Sequence, residues 1–202
     1  MSRWLLCDYG EVLCVAPPGP DWEVLVALAV DSGWDPTDPT EPHEAFKPVF
    51  WEHRRAYDRG DLSASEYWTA TLGRRPGGGH LGRLVAADQA IWLHPNPDSL
   101  RAAARAAGRG YQLAILSNAP VEVAARIDRL PWLAGFGPRF FSCHLNLIKP
   151  EPDIYRAALD GLGAAPDEVV FFDDRPANVE AALQLGIDAR LFTHPEQLDL
   201  GG

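Results

Sequence analysis

The sequence predicts an α/β protein: a Rossmann-like core of three layers built on a parallel sheet, with a helical cap inserted after the first strand. Three observations predict it. Through the second half of the chain, short apolar runs rich in Val, Ile, Leu and Phe alternate with longer segments of helical period. One more run of the first kind, "WLLC" at 4 to 7, stands near the start. Between the two lie residues 18 to 95, which carry helical patterns and almost no β-like alternation. Strands that alternate with helices favour a parallel sheet covered on both faces.

The elements follow in order. "WLLC" is the first strand. Proline-rich joints, "APPGP", "DPTDPTEP" and "HPNPD", then divide a helical region whose patterns include "DWEVLVALAVDSG", "EAFKPVFWEHRRAYDRG" and "SASEYWTATLG". Within it "RRPGGGHLG" (74 to 82) lacks the Gly-Lys-Ser/Thr ending of a nucleotide P-loop and reads as a flexible turn. The core resumes near "NPDSLRAAARAAGRG". It continues through strands at 111 to 118 ("YQLAILSN"), 139 to 145 ("RFFSCHL"), 168 to 174 ("EVVFFDD") and 189 to 192 ("ARLF"). Helices are expected at "VEVAARIDRL", "PDIYRAALDGLG" and "ANVEAALQLG"; the last two stop on glycine, and Pro152 suits an early helical position. The division is therefore a core of residues 1–17 and 96–202 and a cap of 18–95.

Composition narrows the function. The 202 residues are 47% hydrophobic, enough for an ordinary core. A formal net charge of -10 with scattered Lys and Arg argues against a nucleic-acid binder. No apolar run approaches the roughly 20 residues of a membrane helix, and no signal-peptide core is present, so a soluble cytoplasmic protein is expected. Cys7, Cys14 and Cys143 have no CxxC spacing and read as buried thiols of a reducing compartment. The six histidines lack ligand spacing, and oligomeric state is left open.

In an open parallel sheet, ligands gather at the carboxyl ends of the strands. The polar residues there are Asp8, Ser117 with Asn118, and Asp173 with Asp174; Lys149 follows the fourth segment. Together they supply a phosphoryl-transfer site. A carboxylate, Asp8, can attack phosphorus and split one hard hydrolysis into two easier steps. Its repulsion from an anionic phosphate must be offset by a hard cation such as Mg²⁺, for which Asp174 offers a second carboxylate. Lys149 and the Ser117 hydroxyl can hold the phosphoryl oxygens.

"CDYGEVL", "LSN", "KPEPDIY" and "FFDDRPANVEAALQLG" resemble, in order and spacing, the four motifs of the haloacid dehalogenase superfamily, in the branch with a helical cap between the first two. The last is especially similar to glucose-1-phosphate phosphatases and to the phosphatase domain of soluble epoxide hydrolases. The resemblance runs over nearly the whole chain, including "YDRGDLSASEYW" in the cap. It implies a Mg²⁺-dependent phosphatase acting on a small phosphorylated metabolite. Asp8 would be the nucleophile, with Ser117, Asn118 and Lys149 on the phosphate and Mg²⁺ on Asp8, Asp174 and the Gly10 carbonyl. Asp173 and Asn178 would stand behind these ligands.

The first motif departs from the pattern. Most phosphatases of this superfamily have a second aspartate where Gly10 stands, to protonate the leaving alcohol. Glu11, one residue too far along by the family's pattern, is a hypothetical substitute acid; the preferred reading is a solvated loop charge facing the cap. Two rivals share the residues: a metal-independent 2-haloacid dehalogenase, disfavoured by the adjacent Asp173 and Asp174, and a catalytically quiet metabolite-binding module. In the cap, Phe46, Phe50, Trp51, Tyr57, Tyr67 and Trp68 read as the core of a helical bundle rather than a ligand face. Arg54 and Arg55 read as solvated helix charge rather than a second anion site.

Overall fold

A computed structural model describes residues 3–36 and 40–201; residues 37–39, inside the joint "DPTDPTEP", lie outside the described residues. Five strands form one sheet: β1 (Arg3–Cys7), β2 (Tyr111–Ser117), β3 (Phe136–Phe141), β4 (Val169–Asp173) and β5 (Asp188–Leu191). Their order is β3-β2-β1-β4-β5, and every pairing is parallel. The chain runs outward from β1 through β2 to β3, then crosses to β4 and β5. The order therefore switches between β1 and β4, where a crevice opens at the strand ends.

Alternation along the strands sends side chains to opposite layers. Leu5, Cys7, Leu113, Ile115, Val170 and Phe172 pack on one face with Ala102, Ala103 and Ala106 of α6 (Pro97–Gly108) and Val123, Ala124 and Ile127 of α7 (Val121–Ile127). Trp4, Leu6, Ala114, Leu116, Val169 and Phe171 pack on the other with α9 (Pro152–Leu162) and α10 (Pro176–Leu183). Each large side chain so buried contributes about 1.5–3 kcal/mol against exposure. This is the three-layer core expected.

Among the described residues between β1 and α6 lie five helices: α1 (Gly19–Asp31), α2 (Pro42–Glu52), α3 (Arg54–Arg59), α4 (Ala64–Leu72) and α5 (His80–Ala90). They close around their own core of Leu25, Phe46, Phe50, Tyr57, Tyr67, Trp68 and Leu84. The α4 start is explicit in sequence, because Ser63 Oγ accepts from Glu66 N–H while Glu66 accepts from Ser63 N–H. An antiparallel bridge between Cys14 and Pro95 ties the two connections to the core together.

Some boundaries moved. The segment 139 to 145, expected as strand, is split: β3 ends at Phe141, and Ser142–Leu145 wind into a short helix, α8. Ser142 Oγ accepts from Ala119 N–H and donates to the Asp58 carbonyl, tying that turn to β2 and to α3. The strand instead starts earlier, through Pro138, which an edge position tolerates because one side of it needs no ladder bond. The pattern 44 to 60 breaks at His53 into α2 and α3. The run 74 to 82 turns only as far as Gly79, and α5 takes its remainder. Cys7 and Cys14 are buried as expected, whereas Cys143 is only half-buried.

Candidate active site

The crevice at the strand ends is a cavity of about 590 Å³. Asp8, Tyr9, Gly10 and Glu11 line it after β1, Ser117 and Asn118 after β2, Asp174, Arg175 and Asn178 after β4, and Lys149 from the loop before α9. Trp51, Arg54, Arg55, Asp58 and Trp92 line it from the helical insertion. All eight residues expected from the sequence are thus brought together; Asp173 sits behind the wall, fully buried.

Lys149 is the hub. Its Nζ stands 2.9 Å from Asp8 Oδ1 and 2.6 Å from Asp173 Oδ2, with the ammonium buried. Asp173 spends both oxygens inward, accepting also from Asn178 Nδ2 (2.9 and 3.0 Å) and from Arg175 N–H (2.9 Å). Asn118 uses its side chain on Lys149, donating to its carbonyl (3.1 Å) and accepting from its N–H (3.0 Å). That amide therefore holds the lysine loop while, among the described residues, one of its two N–H donors stays unspent on the cavity wall.

The oxygens left over are informative. Asp8 Oδ1 also accepts from Tyr9 N–H, while Asp8 Oδ2, the Asp174 carboxylate and the Ser117 hydroxyl have no protein hydrogen-bond partner among the described residues. Carboxylate oxygens of Asp8, Asp173 and Asp174 converge to within 4.8 Å of one another. Three carboxylates share a single ammonium here, so two negative charges are in surplus. Burial pushes the Asp8 carboxyl up to about 7, with Lys149 opposing and Asp173 and Asp174 adding to the rise. Burial and Asp173 likewise raise Asp174. Burial pulls the Lys149 ammonium down, but Asp173 and Asp8 outweigh it and hold it charged. An all-oxygen donor set with a two-charge surplus fits a hard divalent cation.

Gly10 is not glycine for want of space. A Cβ there would meet only Trp92, at 3.9 Å, and its φ is not in the left-handed region. Glu11 lines the cavity with φ 56, an uncommon backbone for a non-glycine residue.

Two readings of the insertion are corrected. Arg54 is not solvated: it is 3% exposed, bonded to Asp58 Oδ1 and Asp88 Oδ1 at 2.7 Å each, and ringed by Phe50, Trp51, Tyr57, Tyr67 and Trp92. Helical spacing shows which face a residue takes but not whether acids from α3 and α5 await it there. Arg55 is exposed but engaged, donating to Glu151 (2.8 Å) across the cavity rim. Of the aromatics, Phe46, Phe50, Tyr57, Tyr67 and Trp68 are core as expected, whereas Trp51 is 39% exposed and lines the cavity. Tyr9, Trp92 and Arg175 were not anticipated. Only Arg175 carried a signal, its place directly after the acidic pair.

A parallel sheet whose strand ends gather an acid cluster around a buried lysine defines an α/β protein with an acidic site at its topological switch point. Residues 24–186 match the haloacid dehalogenase-like hydrolase family model, and the chain belongs to that family. It is 35% identical over 97 residues to bifunctional epoxide hydrolase 2 of Rattus norvegicus (46% of this chain, 18% of that protein). It is 30% identical over 88 residues to flavin mononucleotide hydrolase 1 of Arabidopsis thaliana (44% and 36%). It is 32% identical over 97 residues to a phosphorylated carbohydrates phosphatase of Thermotoga maritima (48% and 45%). The matches span less than half the length of each of these relatives. The fold is similar to that of a haloacid dehalogenase family enzyme of Bacteroides thetaiotaomicron in complex with magnesium and inorganic phosphate (TM-score 0.69, 20% identity, covering 95% of this chain and 94% of that one). It is also similar to L-2-haloacid dehalogenase of Xanthobacter autotrophicus (TM-score 0.63, 20% identity, 94% and 76%). The relatives it matches include a phosphatase, and no described helix is long and apolar enough to cross a membrane.

Proposed function

We propose that this chain is a Mg²⁺-dependent phosphatase of small phosphorylated metabolites, with residues 1–17 and 96–202 as its catalytic core and 18–95 as its cap. The observation that carries this reading is the surplus of charge at the strand ends: three carboxylates around one ammonium, two of them with open oxygens. Asp8, Asp174 and the Gly10 carbonyl would hold the ion, which supplies Lewis-acid neutralisation of the anionic phosphoryl group. Asp173 is spent on Lys149 and Asn178 and so orients these ligands from behind.

Asp8 Oδ2 attacks phosphorus, the bond to the ester oxygen breaks, and an aspartyl phosphate forms. Lys149 and the Ser117 hydroxyl hold the phosphoryl oxygens as charge moves onto them. With glycine at position 10, the leaving oxygen takes its proton from water, and water then hydrolyses the aspartyl phosphate. Such a site favours esters whose leaving group needs little protonation. Related names support a phosphate ester as substrate, namely the flavin mononucleotide hydrolase and the carbohydrate phosphatase.

A phosphate-release screen over sugar phosphates, nucleotides and phospho-acids, with Mg²⁺ or with chelator, tests the proposal. Metal-dependent release that disappears in Asp8→Asn is expected. Chloride release from 2-chloropropionate in chelator would replace it with the dehalogenase reading, which the charge surplus disfavours. Release from no phosphate at all would leave a binding module.

A further inference from the structure

The cavity is lined by four basic side chains, and three are already paired. Lys149 is bonded to Asp8 and Asp173, Arg54 to Asp58 and Asp88, and Arg55 to Glu151. Arg175 differs. It is exposed, lines the cavity, and its guanidinium makes no ion pair or hydrogen bond among the described residues. The guanidinium carbon lies 6.0 Å from the ring centroid of Trp51, the partly exposed aromatic that α2 contributes to the same cavity. Its backbone N–H is fixed by Asp173, so both ends of the residue are positioned. Asp58 and Asp174 sense its charge, yet neither pairs with it; Asp58 is committed to Arg54.

We infer that Arg175, steadied by Trp51, is a specificity-determining residue that binds a second anionic group on the substrate. This rests on the phosphatase reading and narrows its substrate class to phosphate monoesters whose organic part carries a carboxylate or another phosphate. The transferred phosphoryl group already has Lys149, Ser117 and the cation that the acid cluster would hold for its oxygens. A guanidinium with five unspent donors in a planar fork matches a further carboxylate or phosphate in a bidentate pair. The Trp51 ring, its centroid 6.0 Å from the guanidinium carbon, lies at the reach of a cation–π contact that favours this placement of the fork before the ligand arrives.

The test uses matched pairs and reads binding apart from turnover. Calorimetry on the full chain carrying Asp8→Asn, with Mg²⁺, compares 3-phosphoglycerate with glycerol 3-phosphate, and fructose 1,6-bisphosphate with fructose 6-phosphate. The first pair adds a carboxylate and the second a phosphate. The more anionic member of at least one pair is expected to bind about tenfold or more tightly, the range of a charged hydrogen-bonded contact. Adding Arg175→Gln should bring that ratio to near one, with Arg175→Lys in between. A preference in only one pair identifies which anion is read. Absence of preference in both pairs, no binding of any member, or equal weakening of both members by Arg175→Gln overturns the inference. Turnover by the unsubstituted chain separates the two proposals: preferential binding without phosphate release sinks the phosphatase reading alone, and phosphate release without preference sinks the role of Arg175 alone.

Discussion

Among the described residues there are two buried ionic clusters, one in the core and one in the helical insertion. In the insertion, Arg54 meets Asp58 and Asp88 and is enclosed by five aromatic rings. In the core, Lys149 meets Asp8 and Asp173 with Asp174 close by. The first is the more nearly closed, although Arg54 and Asp58 also line the cavity, and Asp88 Oδ2 is buried without a partner. The second leaves open oxygens toward a cavity and carries one more carboxylate than the first. The first cluster fixes the relative placement of α3 and α5, whereas the second keeps carboxylate oxygens that could hold a cation. The same kinds of group are mostly spent on one another in one place and left partly unspent in the other.

Arg54→Met would break the closed cluster and should have the largest effect on stability. It leaves two buried acids uncompensated, so a loss of about 3–5 kcal/mol is expected, measured by urea unfolding. Mg²⁺ should not restore it. Lys149→Met sharpens the contrast, because the core cluster can trade one cation for another. Turnover should fall by about 10²–10³-fold as the phosphoryl oxygens lose their ammonium, while added Mg²⁺ recovers much of the lost stability. If Mg²⁺ rescued both variants or neither, the distinction between the clusters would be wrong.

The pH dependence of the open cluster gives the third prediction. Burial raises the Asp8 carboxyl from its ordinary value to about 7. The native state therefore holds this proton more tightly than the unfolded chain. In chelator, Asp8 favours folding most at low pH, and that contribution is lost as pH rises from about 4 through about 7. Asp8→Asn cannot ionise, so it should gain about 1–3 kcal/mol on the unsubstituted chain between pH 5 and 8. Mg²⁺ favours the ionised form and should shrink the gap; thermal melts at both pH values with and without the ion would show it.

Smaller effects probe the cavity rim. Because a Cβ at position 10 meets only Trp92, at 3.9 Å, and the residue lines the cavity, Gly10→Asp should fit. It should raise turnover of alkyl phosphates by about tenfold or more and that of p-nitrophenyl phosphate little, since only the former needs its leaving group protonated. Equal change in both would argue against a missing acid. Glu151 binds Arg55 and Arg59 across the gap between insertion and core. These partly exposed pairs are worth less than about 1 kcal/mol, so Glu151→Gln should change KM and kcat by only a few-fold, more at low salt than at high.

Much of this was legible in the chain. The alternation in "WLLC" and "YQLAILSN" sends successive residues to opposite layers, and that period is local. The polar residues that end those runs had to emerge at the strand ends. The break at His53 and the helical turn at Ser142 were not legible, because the local pattern permits either outcome. What selects the turn at Ser142 includes its bonds to Ala119 and Asp58. Gly60 shows the same dependence: its φ of 90 ends α3, and the approach of the Cys143 carbonyl, 3.2 Å from where a Cβ would sit, leaves little room for a side chain.

The sequence by itself determined the layered α/β core, the helical insertion and the set of residues at the strand ends, since hydrophobic period and chain order are properties of neighbours along the chain. Tertiary structure alone decided how the charges pair. It buried Arg54, committed Asn118 to the lysine loop, left Asp8 Oδ2 and Asp174 open, and set Arg175 against Trp51. Such pairings join residues far apart in the chain, and their outcome depends on burial and angstrom-scale distance, which no local pattern encodes.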